Sequence, residues 1–177
     1  MIAAPSNFAR RAAARGFTLI EILIVVVILG IIASIVIPQF SSASQESREA
    51  TLRDCLRYLR SQTTIYKAQH RDVGPGFPNG DLTAAPDAAT FVNQMTLYTD
   101  ELSNTSADPS NVFQFGPYLS QMPANPLNGN AGIWIVTGAM PAPDASQPYG
   151  WIYNPLTLDI IPNLPGVDDQ GVAYITY

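Results

Sequence analysis

Chemistry in a polypeptide starts from its nucleophiles, bases and metal ligands, and this chain of 177 residues holds few of them. It has one histidine, His70, and one cysteine, Cys55, beside fourteen acids. A single thiol excludes an internal disulfide framework and a cysteine-rich zinc site. No Gly-x-Ser-x-Gly elbow and no His-Glu-x-x-His pair occurs, so the common nucleophile and metallohydrolase arrangements are missing. Gly74-Pro75-Gly76 lacks the lysine and the strand-to-helix setting of a phosphate loop. Paired-acid hydrolysis stays open on composition alone. A pI of about 4.6 argues against a nucleic-acid partner, which needs a basic face to release counterions.

The charges that exist are sorted along the chain. Residues 1–16 carry Arg10, Arg11 and Arg15 and no acid. Residues 17–37 read FTLIEILIVVVILGIIASIVI and hold one charge, Glu21. Residues 38–71 have six basic and three acidic side chains, and ten acids with no Lys or Arg follow Arg71. Twenty-one residues make a helix of roughly 31 Å at about 1.5 Å per residue, which matches a bilayer core of roughly 30 Å. Three arginines on its N-terminal side keep that end cytoplasmic by the positive-inside rule and send everything after Pro38 across the membrane. A cleaved secretory signal is the plain alternative, with Ser41-Ser42-Ala43 as a weak peptidase site, but the run exceeds the usual apolar core of about 7–15 residues.

Glu21 is the informative member of the run. A carboxylate at the centre of a membrane helix costs roughly 2.5–3.5 kcal/mol on insertion scales, and less near an end. It either reaches the headgroups or serves as the buried partner of a positive charge. Gly30 and Pro38 are weak helix formers in one stretch, and Pro38 should kink or loosen the helix there unless it simply marks the membrane boundary.

Beyond the membrane segment, Leu52, Leu56, Leu59, Thr63 and Tyr66 recur at spacings of three and four. That pattern predicts an amphipathic helix over residues 38–71, continuous with the first, about 54 residues and roughly 80 Å from Phe17 to His70. Cys55 falls on its apolar face and reads as a small core residue. His70, at the helix end, reads as a dipole contact or a solvated side chain. Thirteen of the fifteen prolines lie between residues 75 and 165, so elements there are short. A short helix is expected within 88–105. Strands are expected at Ile133–Thr137, Trp151–Asn154, Leu158–Ile161 and Val172–Tyr177, with Pro155-Leu156-Thr157 as a hairpin loop.

Arg15-Gly16-Phe17-Thr18-Leu19-Ile20-Glu21 resembles the leader site of type IV pilins and type II secretion pseudopilins. Gly116-Pro117-Tyr118-Leu119, followed by Met122-Pro123 and Asn125-Pro126, resembles a segment of the type II secretion major pseudopilin, the G-type subunit. The resemblance implies a leader over residues 1–16, cut by a prepilin peptidase between Gly16 and Phe17 with methylation of the new Phe17 amine. It implies a transmembrane helix over 17–37, a stalk helix over 38–71 and a globular head over 72–177. The implied fold is α+β and pilin-like, the second half of the long helix packing on a small antiparallel sheet. Glu21 would neutralise the Phe17 amine of a neighbouring copy in a filament, and Gly30 to Pro38 would unwind on assembly. The implied partners are copies of the chain, the peptidase, an inner-membrane assembly platform and minor pseudopilins. The implied place is the inner membrane, single-pass, with a periplasmic head. The leading function is a secretion pseudopilus subunit. A surface pilin of the same family is the first alternative, and an anchored exported enzyme or binding module the others.

Two features depart from the resemblance. Residues 81–116 have no obvious family equivalent. The Asp-Gly-rich calcium loop of many major pseudopilins is replaced by Gly166-Val167-Asp168-Asp169-Gln170-Gly171. Calcium takes about six to eight oxygens; Asp168 and Asp169 are its best candidate ligands, and two adjacent carboxylates need not converge on one ion. No other cofactor is implied.

Overall fold

The structure, a computed structural model, describes residues 16–177. It divides into two units, one ending at Ala43 and one over Ser44–Tyr177. The element order is α1 (Leu19–Gln69), a 3-10 turn at Pro78–Gly80, α2 (Ala88–Thr96), β1 (Tyr98–Thr99), β2 (Thr105–Ser106), β3 (Ile133–Ile135), β4 (Trp151–Tyr153), β5 (Ile160–Pro162) and a 3-10 turn at Tyr174–Thr176. This is the expected α+β, pilin-like plan.

In the first unit, α1 carries only apolar residues from Ile22 to Ala33. The most apolar 18-residue window has a mean hydropathy of 3.2 and buries none of its residues. Side chains such as Leu23, Val27 and Ile31 are each at least half exposed. A surface of this kind is left for lipid or another apolar face to cover.

In the second unit, the helical periodicity does the packing. Leu52, Leu56, Leu59, Thr63 and Tyr66 all have no exposed surface. Leu52, Leu56, Leu59 and Tyr66 meet Phe91 and Met95 of α2, Ile133 of β3, Trp151 and Tyr153 of β4 and Ile160 of β5 in one core. Each such apolar side chain contributes about 1.5–3 kcal/mol by leaving water. Cys55 is only partly buried and packs at the edge of this core. The expected helix within 88–105 stops at Thr96. Asp87 caps its start, accepting from Thr90 N, and the chain then turns into β1.

The three-stranded sheet is mixed, in the order β3-β4-β5. The β4–β5 pair is the expected antiparallel hairpin, with Trp151 opposite Pro162 and Tyr153 opposite Ile160. The β3–β4 pair is parallel, Ile133 opposite Trp151 and Ile135 opposite Tyr153, which corrects the all-antiparallel expectation. Residues 136–150 between them provide the long crossover that a parallel pair requires. The last strand begins at Ile160 rather than Leu158, because Leu158 holds a left-handed backbone (φ 65°) in the hairpin turn.

Val172–Tyr177 is not a strand. Only an isolated bridge, Val167 to Ala173, forms there before the 3-10 turn. The Asp168 carboxylate folds the chain back by accepting from the backbone N–H groups of Gln170 and Val172, both near 2.9 Å, which removes those donors from any ladder.

Candidate functional site

The first site is the start of α1. Thr18 precedes the helix and Glu21 lies three residues on. Glu21 Oε2 accepts from Thr18 N at 2.8 Å and from the Thr18 hydroxyl at 2.9 Å, while Glu21 N donates to Thr18 Oγ1 at 3.2 Å. This reciprocal arrangement is a capping box, and it satisfies two of the donors that a helix start leaves unpaired. The Thr-x-x-Glu spacing before an apolar run is its sequence signal, and capping adds to the headgroup and charge-partner readings of Glu21. Phe17 is 84% exposed, and Gly16 is exposed beside it. Residues 1–15 of the expected leader, with Arg10, Arg11 and Arg15, lie outside the described residues. α1 runs through Gly30 and Pro38 without a break, and no side chain approaches Gly30 within 4 Å.

The second site is the C-terminal segment clasped against the second half of α1. Arg53 Nη2 donates to Asp168 Oδ2 at 2.9 Å and to the Tyr177 hydroxyl at 2.5 Å. The Tyr177 hydroxyl in turn donates to Asp168 Oδ2 at 2.6 Å, and the Arg53 guanidinium lies 4.2 Å from the centre of its ring. One turn earlier on the helix, Glu49 Oε1 accepts from the Tyr174 hydroxyl at 2.8 Å and from Gln45 Nε2 at 3.0 Å. Arg60 donates to the main-chain oxygens of Ile160 (2.7 Å) and Tyr177 (2.6 Å). Gln45, Glu49, Arg53 and Arg60 thus form a polar stripe beside the leucine stripe.

Electrostatics follow from these contacts. The Tyr177 hydroxyl foremost, then the N–H groups of Val172 and Gln170 and the Arg53 charge, hold the Asp168 carboxyl below its usual range. Burial and the bond to Asp168 push the Tyr177 hydroxyl up to about 12. Asp168 is buried and Asp169 exposed, and the four donors on Asp168 come from protein groups. Among the described residues no group of three or more His, Cys, Asp or Glu side chains is placed to hold a metal ion.

His70 contacts the last turn of the helix, but its solvated reading is corrected. It is 1% exposed and stacks on Tyr66 at 3.8 Å and 7°. Its Nδ1 lies 2.7 Å from the Tyr66 carbonyl oxygen, which can only accept, so Nδ1 carries the proton. Nε2, 2.9 Å from Thr99 Oγ1, then accepts from that hydroxyl. Burial lowers the His70 pKa and keeps the ring neutral. The signal was available, since His70 is four residues past Tyr66 on the same stripe.

The Gly116-Pro117-Tyr118-Leu119 segment ties α1 to α2. Tyr118 N and Leu119 N both donate to the Met95 carbonyl, and the Tyr118 hydroxyl donates to Gln69 Oε1 at 2.6 Å. Gly116 has φ +74°, and a Cβ there would lie 2.8 Å from the Leu97 carbonyl oxygen, so only glycine fits.

The comparisons with known proteins agree with this plan. The family model of the prokaryotic N-terminal methylation motif matches residues 11–37. The type II secretion system core protein G of Pseudomonas aeruginosa is 40% identical over 52 residues, 29% of this chain and 37% of that protein. Its counterpart in Klebsiella michiganensis is 41% identical over 59 residues, 33% of this chain and 41% of that protein. The chain therefore spans well under half the length of these two relatives. The type IV narrow pilus major component PilA5 of Thermus thermophilus is 30% identical over 98 residues, 55% of this chain and 81% of that protein. No solved structure matches. With the methylation motif over residues 11–37, a capped apolar helix at its start and a match at 30% identity that covers 81% of a type IV pilus subunit, the chain belongs to the type IV pilin-like family.

Proposed function

We propose that the chain is a non-catalytic subunit of a type II secretion pseudopilus. Residues 1–16 are its leader, 17–37 its membrane anchor before assembly, 38–71 its stalk and 72–177 its periplasmic head. A prepilin peptidase cuts between Gly16 and Phe17 on the cytoplasmic side and the Phe17 amine is methylated. The subunit waits in the inner membrane, then joins a filament through contacts with its copies, the assembly platform and minor pseudopilins. The observation that supports secretion is that relatives at 40% and 41% identity carry the name of core protein G. The Gly116–Leu119 segment points the same way.

Within the filament the Glu21 carboxylate accepts the methylated Phe17 amine of a neighbour. An ammonium and a carboxylate in hydrocarbon are each costly alone and much less so as a pair. The long match to a pilus component supports a surface pilus as the second reading. Deleting the gene and restoring it separates the two. Secretion lost and regained, with surface filaments unchanged throughout, is the expected result; filaments lost with secretion intact selects the pilus.

A further inference from the structure

We infer that the head carries a saccharide-binding cleft, formed where α2, the Pro78–Gly80 turn and β2 meet. The cleft is open to solvent on one side, offers about 320 Å³ and is lined by Pro78, Asn79, Thr90, Asn93, Gln94, Ser103, Asn104 and Thr105. That volume lies at the small end of the range for small-molecule sites, about 300–1,000 Å³, and suits a mono- or disaccharide.

The lining is uncharged, and seven of its eight side chains carry an amide or a hydroxyl. The nearby carboxylates are used elsewhere. Asp87 accepts from Thr90 N and Oγ1, and Asp100 accepts from Asn104 N and Nδ2. An anion finds no cation here, and a cation finds no free carboxylate. An apolar ligand finds only Pro78, and a peptide finds no apolar pocket for its side chains. A neutral molecule that offers donors and acceptors in alternation fits what remains.

The walls are held in place by a group that is itself spent. Gln94 is 1% exposed; its Oε1 accepts from Gly76 N at 2.7 Å, and its Nε2 donates to the carbonyls of Phe77 and Ser103. It therefore braces both sides and leaves recognition to others. Among the described residues, the side-chain amides of Asn79 and Asn93 make no hydrogen bond, and Asn104 keeps its Oδ1 as a free acceptor. Asn79 and Ser103 both hold left-handed backbones, φ 52° and 66°, a conformation that non-glycine residues adopt at a cost and that concentrates at binding sites. The lining residues, Pro78 to Thr105, lie in residues 81–116, for which the sequence offered no family equivalent, or just before them.

The test uses the full chain in dodecylphosphocholine micelles, whose headgroup is no sugar, with glucose, galactose, lactose and N-acetylglucosamine as probes. Saturable shifts of the Asn79 and Asn93 side-chain amide signals are expected with at least one of them. Asn79→Gly, which suits the left-handed backbone there, and Asn93→Ala should each weaken that binding about tenfold and leave the melting temperature unchanged. No saturable shift with any probe up to about 50 mM, where a Kd near 1 mM is saturated, overturns the inference. So does equal binding by both variants, or a response to a blocked glycine dipeptide and to no sugar.

Discussion

Glu21 has one role that its contacts define and one that is proposed, and Glu21→Ala would remove both. Its carboxylate caps α1 through Thr18, and in the proposed filament it also meets a neighbour's amine. Glutamine can still serve in a capping box but carries no charge, so Glu21→Gln separates the two. Glu21→Gln and Glu21→Ala should both insert and be processed, yet both should fail to assemble. Thr18→Ala should lose about 1 kcal/mol of helix stability and still assemble. Sheared-filament yield at native expression checks this. Filaments from Glu21→Gln but not from Thr18→Ala would leave capping as the only role. His70 gives a pH prediction at the same scale. Its pKa is lowered in the fold, so the unfolded chain binds more protons and stability falls as pH drops. The loss begins near the unfolded value of about 6.5 and ends at the depressed folded value. The Asp100 charge opposes this shift without reversing it. Melting temperature followed from pH 8 to about 5 should slope downward, and His70→Gln should flatten the slope.

Among the elements, the C-terminal clasp replaces the strand expected at Val172–Tyr177. Its closing contact is Arg53 with Asp168 and Tyr177. Arg53→Met keeps the length of the side chain but strands the Asp168 carboxylate, and should lower the melting temperature by several degrees. Asp168→Asn should cost less, because an amide leaves no buried charge unpaired. The depressed Asp168 pKa adds stability that is present above the unfolded value of about 3.9 and is lost as pH falls through the folded one. Calcium at about 1 mM should not raise the melting temperature, since a ligand that binds only the folded state must raise it. A large rise that Asp168→Asn abolishes would assign the loop to the ion instead. The contrast with α1 explains what the sequence could reveal. Leu52 to Tyr66 repeat over four turns, and repetition makes a face legible. Val172–Tyr177 has an apolar look but depends on Asp168 turning the chain and on Arg53, more than a hundred residues away, receiving it. The parallel β3–β4 pair is hidden for the same reason, because register across residues 136–150 is a property of the crossover and not of either strand. The Gln94 brace is likewise a set of distant contacts without a local motif.

For the whole molecule, the sorting of charge and apolar surface predicts what removal of the first 44 residues does. Residues 45–177 hold six basic and thirteen acidic side chains, a net charge of −7. They keep the leucine stripe, the sheet and the clasp, and they coincide with the compact unit that begins at Ser44. This fragment should be a soluble monomer by light scattering, with its core intact and its self-repulsion favouring dispersal. It should fail to restore secretion in the deletion strain. Export restored by the fragment, or filaments formed from it, would place assembly in the head. The partly buried Cys55 at the edge of that core has a use of its own. It is the sole sulfhydryl in the chain, and burial raises its pKa, so little of it is the reactive thiolate at neutral pH. Alkylation by a maleimide should therefore be slow in the folded protein and fast whenever α1 swings away from the sheet. The ratio of the two rates reads the opening equilibrium of that helix directly, in detergent, in membranes or in an assembled fibre, without any introduced label.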